Sequence, residues 1–237
     1  MPDEVAVVIP TFNEAENLSL IVSAVRELGY RLIIVDDNSP DGTGDMADRL
    51  AAGDGLISVV HRPEKQGLGP AYAEGFAAAL TGSATVICQM DADFSHDPAA
   101  LPSLVKAVQE GAEAALGSRY VPGGDVPGWP LHRRLLSRWG NRYARAMLAT
   151  RINDMTSGFR AYRSDVLRML QPATCEASGY GFQVEMARRC HDAGLKVDEI
   201  PITFRDRVRG ESKMHWRIAL EAMWLVTAWG IRKRLRR

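Results

Sequence analysis

Cysteine is scarce in this 237-residue sequence: Cys88, Cys175 and Cys190 are widely separated and odd in number. They offer neither a disulfide framework nor the paired spacing of a zinc site, a usage that suits a reducing compartment. Long apolar runs are missing too, with none reaching the ~20 residues that span a bilayer. The opening stretch MPDEVAVVIP has no basic leader and only a strand-length apolar run, so it does not read as a signal peptide. No GxGxxG follows the first predicted strand, which argues against a dinucleotide-binding dehydrogenase. There is no internal repeat and no low-complexity linker. One domain with a C-terminal extension is therefore the simplest organisation, divided as residues 1–213 and 214–237.

What the chain does have is apolar residues, 46% of the total, enough for a sizeable core. Net charge is zero but unevenly spread. Residues 1–60 carry eleven acids against three Lys/Arg, whereas residues 201–237 carry ten Lys/Arg against three acids. That asymmetry points to a basic segment facing something anionic, with solvated surface charge as the bland alternative.

Short apolar runs at Val5–Ile9, Leu32–Val35, Ile57–Val60, Thr85–Met90 and Ala114–Gly117 predict buried strands. Helical periodicity separates them: Leu18, Ile21, Val22, Val25 and Leu28 with Gly29 as a stop; a weaker stretch through Met46, Ala47 and Leu50; Gly67–Leu80; and Leu101, Leu104, Val105 and Val108 after Pro98. This alternation predicts an α/β fold, a mostly parallel sheet flanked by helices. Beyond Arg119 it weakens into a Gly/Pro-rich loop at 121–128 and an arginine-rich helix over Leu131–Leu148. Strand character returns at 154–162, a helix is expected over Phe182–Cys190, and strand-like alternation over Val197–Phe204. A basic, glycine-containing loop follows, then an apolar helix over Trp216–Ile231.

In such a sheet, ligands bind outside the carboxyl ends of the strands. Polar clusters stand at four of those ends, after Ile9, Val35, Met90 and Gly117. One of them carries Asp91 and Asp93, two carboxylates one residue apart. In extended backbone such side chains point the same way, and they repel unless a cation or proton lies between them. Mg²⁺ or Mn²⁺ bound by oxygen ligands, with sites left open for substrate phosphates, is the reading that follows. A lone D-x-D also occurs as a solvated acidic turn; four clusters in register are what favour a site.

The motifs resemble those of family 2 glycosyltransferases of the GT-A (Rossmann-like) fold, and within them the dolichol-phosphate or polyprenol-phosphate mannosyltransferases. The resemblance runs essentially end to end. It rests on Pro10-Thr-Phe-Asn-Glu14, Val35-Asp-Asp-Asn-Ser-Pro-Asp-Gly-Thr43, Asp91-Ala-Asp-Phe-Ser-His96, Gly117-Ser-Arg-Tyr120, Ser157-Gly-Phe159, Gly181-Phe-Gln183 and Phe204-x-x-Arg207-x-x-Gly210-x-Ser212-Lys213. Related glucosyltransferases usually read DDGSTDGT at the second motif, so Asn38 and Pro40 favour the mannosyl branch. Some members carry Gln as a third metal-side residue where this chain has Ser95, a weaker ligand whose place water could take.

The resemblance implies inverting transfer of mannose from GDP-mannose to a polyprenyl phosphate, with UDP-glucose as the alternative donor and a catalytically silent subunit as the alternative class. It places Pro10, Thr11, Asn13, Glu14, Val35, Asp37, Asp41, Asp91, Ala92, Asp93 and Arg119 at the nucleotide sugar, with Asp37 and Asp41 on the nucleoside side. Asp91, Asp93 and Ser95 fall to the metal, and Arg133, Ser157, Gln183, Arg207 and Lys213 to the acceptor and its phosphate. Asp93, Arg119, Arg207 and Lys213 are the expected catalytic set. Arg207 and Lys213 would lie on a loop that closes over phosphate. Glu185 is the nearby carboxylate to test as a base, while His61 and His96 read as structural.

A polyprenyl acceptor lives in a membrane. The C-terminal helix is short for a span, but Trp216, Trp224 and Trp229 with the cluster at 232–237 suit an interface with anionic headgroups. Peripheral attachment to the cytoplasmic face is the expectation, with packing on the domain or on a membrane-anchoring partner protein as the alternative. No nucleic-acid partner is implied.

Overall fold

The computed structural model describes residues 4–177, 179, 181–206 and 216–235, without the side chains of 216–221. Seven strands form one sheet in the order β3-β2-β1-β4-β6-β5-β7. They are β1 Val5–Thr11, β2 Arg31–Asp36, β3 Ile57–His61, β4 Val86–Gln89, β5 Ala114–Ser118, β6 Arg160–Arg163 and β7 Val197–Pro201. All neighbours pair in parallel except β6, which runs antiparallel to both β4 and β5. The helices are α1 Ala15–Glu27, α2 Thr43–Gly53, α3 Leu68–Thr81, α4 Leu101–Gln109, α5 Leu131–Leu148, α6 Ser164–Leu170, α7 Gly181–Asp192 and α8 Trp216–Leu235.

The continuous apolar strands make a three-layer molecule because alternate residues feed opposite faces. Val5, Val7 and Ile9 of β1 join Leu32 and Ile34 of β2 beneath α1, α2 and α4. Ala6 and Val8 join Ile33, Val35 and Ile87 beneath α3, α6 and α7. Leu18, Ile21, Val22 and Val25 all lie on the buried side of α1; each such side chain contributes about 1.5–3 kcal/mol by leaving water. Helix α3 sits unusually close to the sheet. A Cβ on Gly75 would meet Val8 Cγ1 at 2.3 Å and Val35 Cγ2 at 2.8 Å, so only glycine fits there. That approach sets the depth of Tyr72, one turn earlier.

Several expectations change. Strand character was expected from 154, but residues 154–159 form a loop and β6 begins at Arg160. Because β6 is antiparallel, its leading loop arrives at the carboxyl ends of β4 and β5. The alternation through Phe204 does not prolong β7: beyond Pro201 the chain pairs with residue 125 instead, through Asp125 N to Ile202 O at 3.0 Å and Phe204 N to Asp125 O at 2.9 Å. Helix α6 was not anticipated, since its three buried residues, Val166, Leu167 and Leu170, span too short a stretch to display a period.

Helix α8 packs on the domain. Leu225, Val226 and Trp229 join the same core cluster as Leu148. Tyr143 and Thr227 hydroxyls meet at 2.6 Å, and Lys233 Nζ bonds Leu148 O at 2.9 Å and Asp192 Oδ1 at 2.8 Å. The interfacial reading of Trp229 is thereby corrected: it is buried, and its Nε1 donates to Glu176. Trp224, Ile231 and Leu235 remain exposed. The side chain of Trp216 and the 213/214 boundary lie outside what the structure describes. Among the described residues, no helix is long and apolar enough to cross a membrane.

Candidate active site

Crossovers from β1 run outward through β2 to β3, whereas β4 lies on the other side of β1. The crevice at this reversal is where open α/β sheets bind ligands. Around it lie the turn after β1, the loop after β2, the D-x-D after β4 and the loop leading into β6.

Strand β4 stops at Gln89 and a turn begins at Ala92, so Asp91 and Asp93 are not two positions of one strand. The strand geometry expected to align the two carboxylates is replaced by specific hydrogen bonds. Asp91 Oδ1 accepts from Tyr72 Oη at 2.9 Å, and Asp93 Oδ1 accepts from Ser95 N at 3.0 Å. Burial, reinforced by Asp91, holds the Tyr72 phenol well above its ordinary pKa, so it stays a donor. Ser95 serves Asp93 through its backbone and is itself buried. Among the described residues, no cluster of three or more His, Cys, Asp or Glu side chains could hold a metal. An all-oxygen pair of carboxylates still fits a hard cation that takes water and phosphate as its remaining ligands. Gly158 leaves room beside Asp91, since a Cβ there would stand 3.5 and 3.7 Å from the two Asp91 oxygens.

The first two loops are laced together. Thr11 Oγ1 donates to Asp36 Oδ1 at 3.0 Å, and Asp36 also accepts Ser39 N at 3.0 Å and Ser39 Oγ at 2.6 Å. Asn13 N bonds Ser39 Oγ at 3.1 Å, and Glu14 N bonds Thr43 Oγ1 at 3.0 Å. Asp41, expected at the nucleoside, accepts from Thr43 N, Thr43 Oγ1 and Ala15 N at 3.1, 2.6 and 3.2 Å. Against a burial effect that raises its pKa, those bonds hold it below the ordinary value. It acts as the tether between the starts of α1 and α2, a role Asp-Gly turns favour. Asp37 is buried and ion-paired with Arg62, and burial pushes its carboxyl up against the pull of that arginine. Arg62 was not singled out from sequence; it follows β3 directly and also binds Glu74 at 2.9 Å. Pro10, half-buried, and Val35, buried, line this edge through β1 and β2. A cavity of about 290 Å³ opens beside the second loop, lined by Asp36, Ser39, Gly44, Asp45, His61 and Arg62 among others.

On the other side, Arg119 is clamped by Asp154. Nε and Nη2 meet the two carboxylate oxygens at 2.7 Å each, Nη2 also bonds Thr156 Oγ1 at 2.7 Å, and the Arg119 amide bonds Asp154 Oδ2 at 3.0 Å. Burial disfavours both charges, but each partner outweighs it, raising the Arg119 pKa and lowering that of Asp154. Two guanidinium nitrogens expected to face phosphate are thus turned to Asp154; among the described residues, only Nη1 has no hydrogen bond. His96 stacks on Phe159 at 5.1 Å, and burial lowers its pKa to about 4, in keeping with a structural role. Arg133 is also engaged: Nη1 bonds Asp206 Oδ1 at 2.8 Å and its guanidinium lies 4.0 Å from the Trp129 ring centre. Ser157 is buried, its carbonyl accepting Arg160 Nε at 2.8 Å. Glu185 is no base candidate, because it is fully buried, paired with Arg189 at 2.8 Å and bonded to the Glu176 and Ala177 amides. Arg207 and Lys213 lie outside the described residues.

Gln183, at the start of α7, reaches into this edge and accepts a hydrogen bond from Gln89 at 2.9 Å. Neither Gln89, Tyr72 nor Asp154 was picked out from sequence as part of the site. Chemically, the arrangement offers an acidic pair beside a rigid double loop suited to a nucleoside, with a buried arginine opposite.

The chain is similar to several known proteins. A sequence profile described as glycosyl transferase family 2 matches residues 6–170. A polyprenol monophosphomannose synthase of Mycolicibacterium smegmatis is 47% identical over 234 residues, covering 98% of this chain and 88% of that protein. An undecaprenyl-phosphate mannosyltransferase of Micrococcus luteus is 46% identical, covering 97% and 95%. Among solved structures, a mannosyltransferase from Pyrobaculum calidifontis in complex with GDP-Man and Mn²⁺ superposes with a TM-score of 0.62 at 18% identity, covering 100% of this chain and 67% of that one. At that identity the likeness carries the fold alone.

Proposed function

The chain belongs to glycosyl transferase family 2, and from that premise we propose that it transfers mannose from GDP-mannose to a polyprenyl phosphate with inversion at the anomeric carbon. The observation that carries this reading is the D-x-D turn at the β1/β4 switch point, in a chain matched along 98% of its length by a relative named polyprenol monophosphomannose synthase.

A phosphate oxygen of the acceptor attacks the anomeric carbon, the bond from that carbon to the diphosphate oxygen breaks, and GDP leaves with the electron pair. The nucleophile is already ionised near neutral pH, so no strong base is needed, and Glu185 is committed elsewhere. Asp91 and Asp93 would hold Mg²⁺ or Mn²⁺, which when bound neutralises charge on the leaving diphosphate. Tyr72 and the Ser95 amide keep those carboxylates oriented. The Pro10–Glu14 turn and the loop around Asp37 would take the nucleoside. Arg119 through Nη1, together with Arg133, Ser157, Gln183, Arg207 and Lys213, would face the sugar and the phosphates. Alignment and charge stabilisation supply most of the rate.

The acceptor requires contact with a bilayer. Trp224, Ile231 and Leu235 are exposed beside the basic residues Arg232 and Arg234. We assign this end of α8 to the membrane surface on the cytoplasmic side, with a membrane-anchoring protein as a further partner.

Isothermal titration of GDP-mannose and UDP-glucose, each with and without Mn²⁺, tests the donor assignment. Metal-dependent binding of GDP-mannose that disappears in Asp93→Ala is the expected result. Preference for UDP-glucose would replace the donor, and no nucleotide-sugar binding by folded protein would indicate a silent subunit.

A further inference from the structure

Two buried amides and one glycine at the site have properties the fold alone does not explain. Gln89, fully buried at the end of β4, donates from Nε2 to Gly158 O at 3.0 Å and to Gln183 Oε1 at 2.9 Å. A backbone carbonyl can only accept, so the Gly158 carbonyl fixes which end of the Gln89 amide is nitrogen. Facing that nitrogen, Gln183 must present its oxygen. Its own Nε2 is thereby turned away from the pair, and at 1% exposure it has no hydrogen-bond partner among the described residues. Buried amide donors without partners are rare in folded proteins.

Gly158 stands in front of that nitrogen. A Cβ there would lie 3.6 Å from Gln183 Nε2 and 3.5 and 3.7 Å from the Asp91 oxygens, all ordinary contact distances. Its φ is not left-handed, so neither backbone conformation nor packing demands glycine. The side chain is absent where a methyl group would fit, and the space it leaves is lined by an amide donor and a carboxylate.

We propose that this space receives a hydroxyl of the donor sugar, accepting a hydrogen bond from Gln183 Nε2 and donating one to the Asp91 carboxylate. This rests on the donor-sugar reading given above and deepens it. A hydroxyl matches because it is both acceptor and donor. A metal-bound water is a poor acceptor for Gln183, because the cation already draws on its oxygen, and an ionised phosphate oxygen has no proton to offer Asp91. Gln89 is a positioning residue: it touches no substrate, and its two hydrogen bonds keep the Gln183 amide from turning its oxygen into the space.

The test compares GDP-mannose with GDP, which lacks the sugar, in wild type, Gly158→Ala and Gln89→Met, by titration and by kcat/KM for mannose transfer. Gly158→Ala fits the free protein without a clash, so its GDP binding and unfolding midpoint should match wild type. The expected result is a loss of about 10- to 100-fold in GDP-mannose affinity or kcat/KM. Gln89→Met is expected to give a smaller loss of the same kind, again without change toward GDP. GDP-deoxymannose analogues complete the cycle: the one that costs wild type most should cost Gly158→Ala nothing further.

Equal losses toward GDP and GDP-mannose would assign the space to the diphosphate and overturn the proposal. A raised KM for polyprenyl phosphate alone would assign it to the acceptor, with the same consequence. If neither ligand is affected, the space is a packing gap. Should wild type itself fail to bind GDP-mannose, the donor reading falls, and this proposal with it. Should Gly158→Ala not fold, Gln89→Met and the deoxy analogues on wild type decide the matter.

Discussion

Tyr72 donates a 2.9 Å hydrogen bond to Asp91, linking α3 to the segment after β4 that carries the two aspartates. Nothing in the local sequence pairs them; they are 19 residues apart. The bond exists because Gly75 lets α3 sink onto Val8 and Val35, and because Phe76 and Phe182 stack on the Tyr72 ring at 5.7 and 6.1 Å. One carboxylate oxygen is thereby occupied and the carboxylate plane is fixed.

Tyr72→Phe removes that bond while keeping the stacked ring. Mn²⁺ affinity, followed by titration or by the paramagnetic resonance of free Mn²⁺, should fall by about 10- to 100-fold, as for other partners that orient a metal ligand. Unchanged affinity would show that the Asp91 orientation does not depend on Tyr72.

The Arg119–Asp154 clamp is a buried ion pair at the site. Asp154→Ala leaves the guanidinium without its countercharge and should cost about 3–5 kcal/mol in urea unfolding. The pH dependence has a definite sign. Asp154 titrates below its unfolded value, so its contribution is complete above the ordinary carboxylate range and is lost as pH falls through the lowered folded-state pKa. Acid unfolding of Asp154→Asn, isosteric but uncharged, should be correspondingly less steep below pH ~4.

Two tryptophans of one helix should separate folding from membrane contact. Trp229 is 5% exposed and Trp224 is 67% exposed. Trp229→Ala empties part of the core and should destabilise by about 3–5 kcal/mol. Trp224→Ala should leave stability within about 0.5 kcal/mol yet reduce co-sedimentation with anionic vesicles. Equal sedimentation of wild type and Trp224→Ala would remove this end of α8 from the membrane contact.

Much of this molecule is legible in its sequence, and the parts that are not share a cause. Strands β1 to β5 and the helices between them declare themselves because burial on both faces of a sheet writes continuous apolar runs, and burial on one face of a helix writes a period. Helix α5 even keeps its expected bounds, Leu131–Leu148. The acidic pair Asp91 and Asp93 is visible because its chemistry is local. What local sequence does not carry is the partner of each charge. Asp41 is expected at the nucleoside, and only the fold shows Ala15, from another element, bonded to it. Arg119 offers its whole guanidinium to phosphate in the sequence, and only the fold shows Asp154, 35 residues on, taking two of its nitrogens. Gln89 and Gln183 are 94 residues apart, and only the antiparallel insertion of β6 brings Gly158 between them and Asp91.

The most direct measurement is transfer of radiolabelled mannose from GDP-mannose to polyprenyl phosphate in anionic vesicles, followed by extraction into organic solvent. The expected result is label in the organic phase, dependent on Mg²⁺ or Mn²⁺ and abolished in Asp93→Ala. Label that stays in the aqueous phase with folded, vesicle-bound protein, or transfer from UDP-glucose in its place, would contradict the mannosyl assignment.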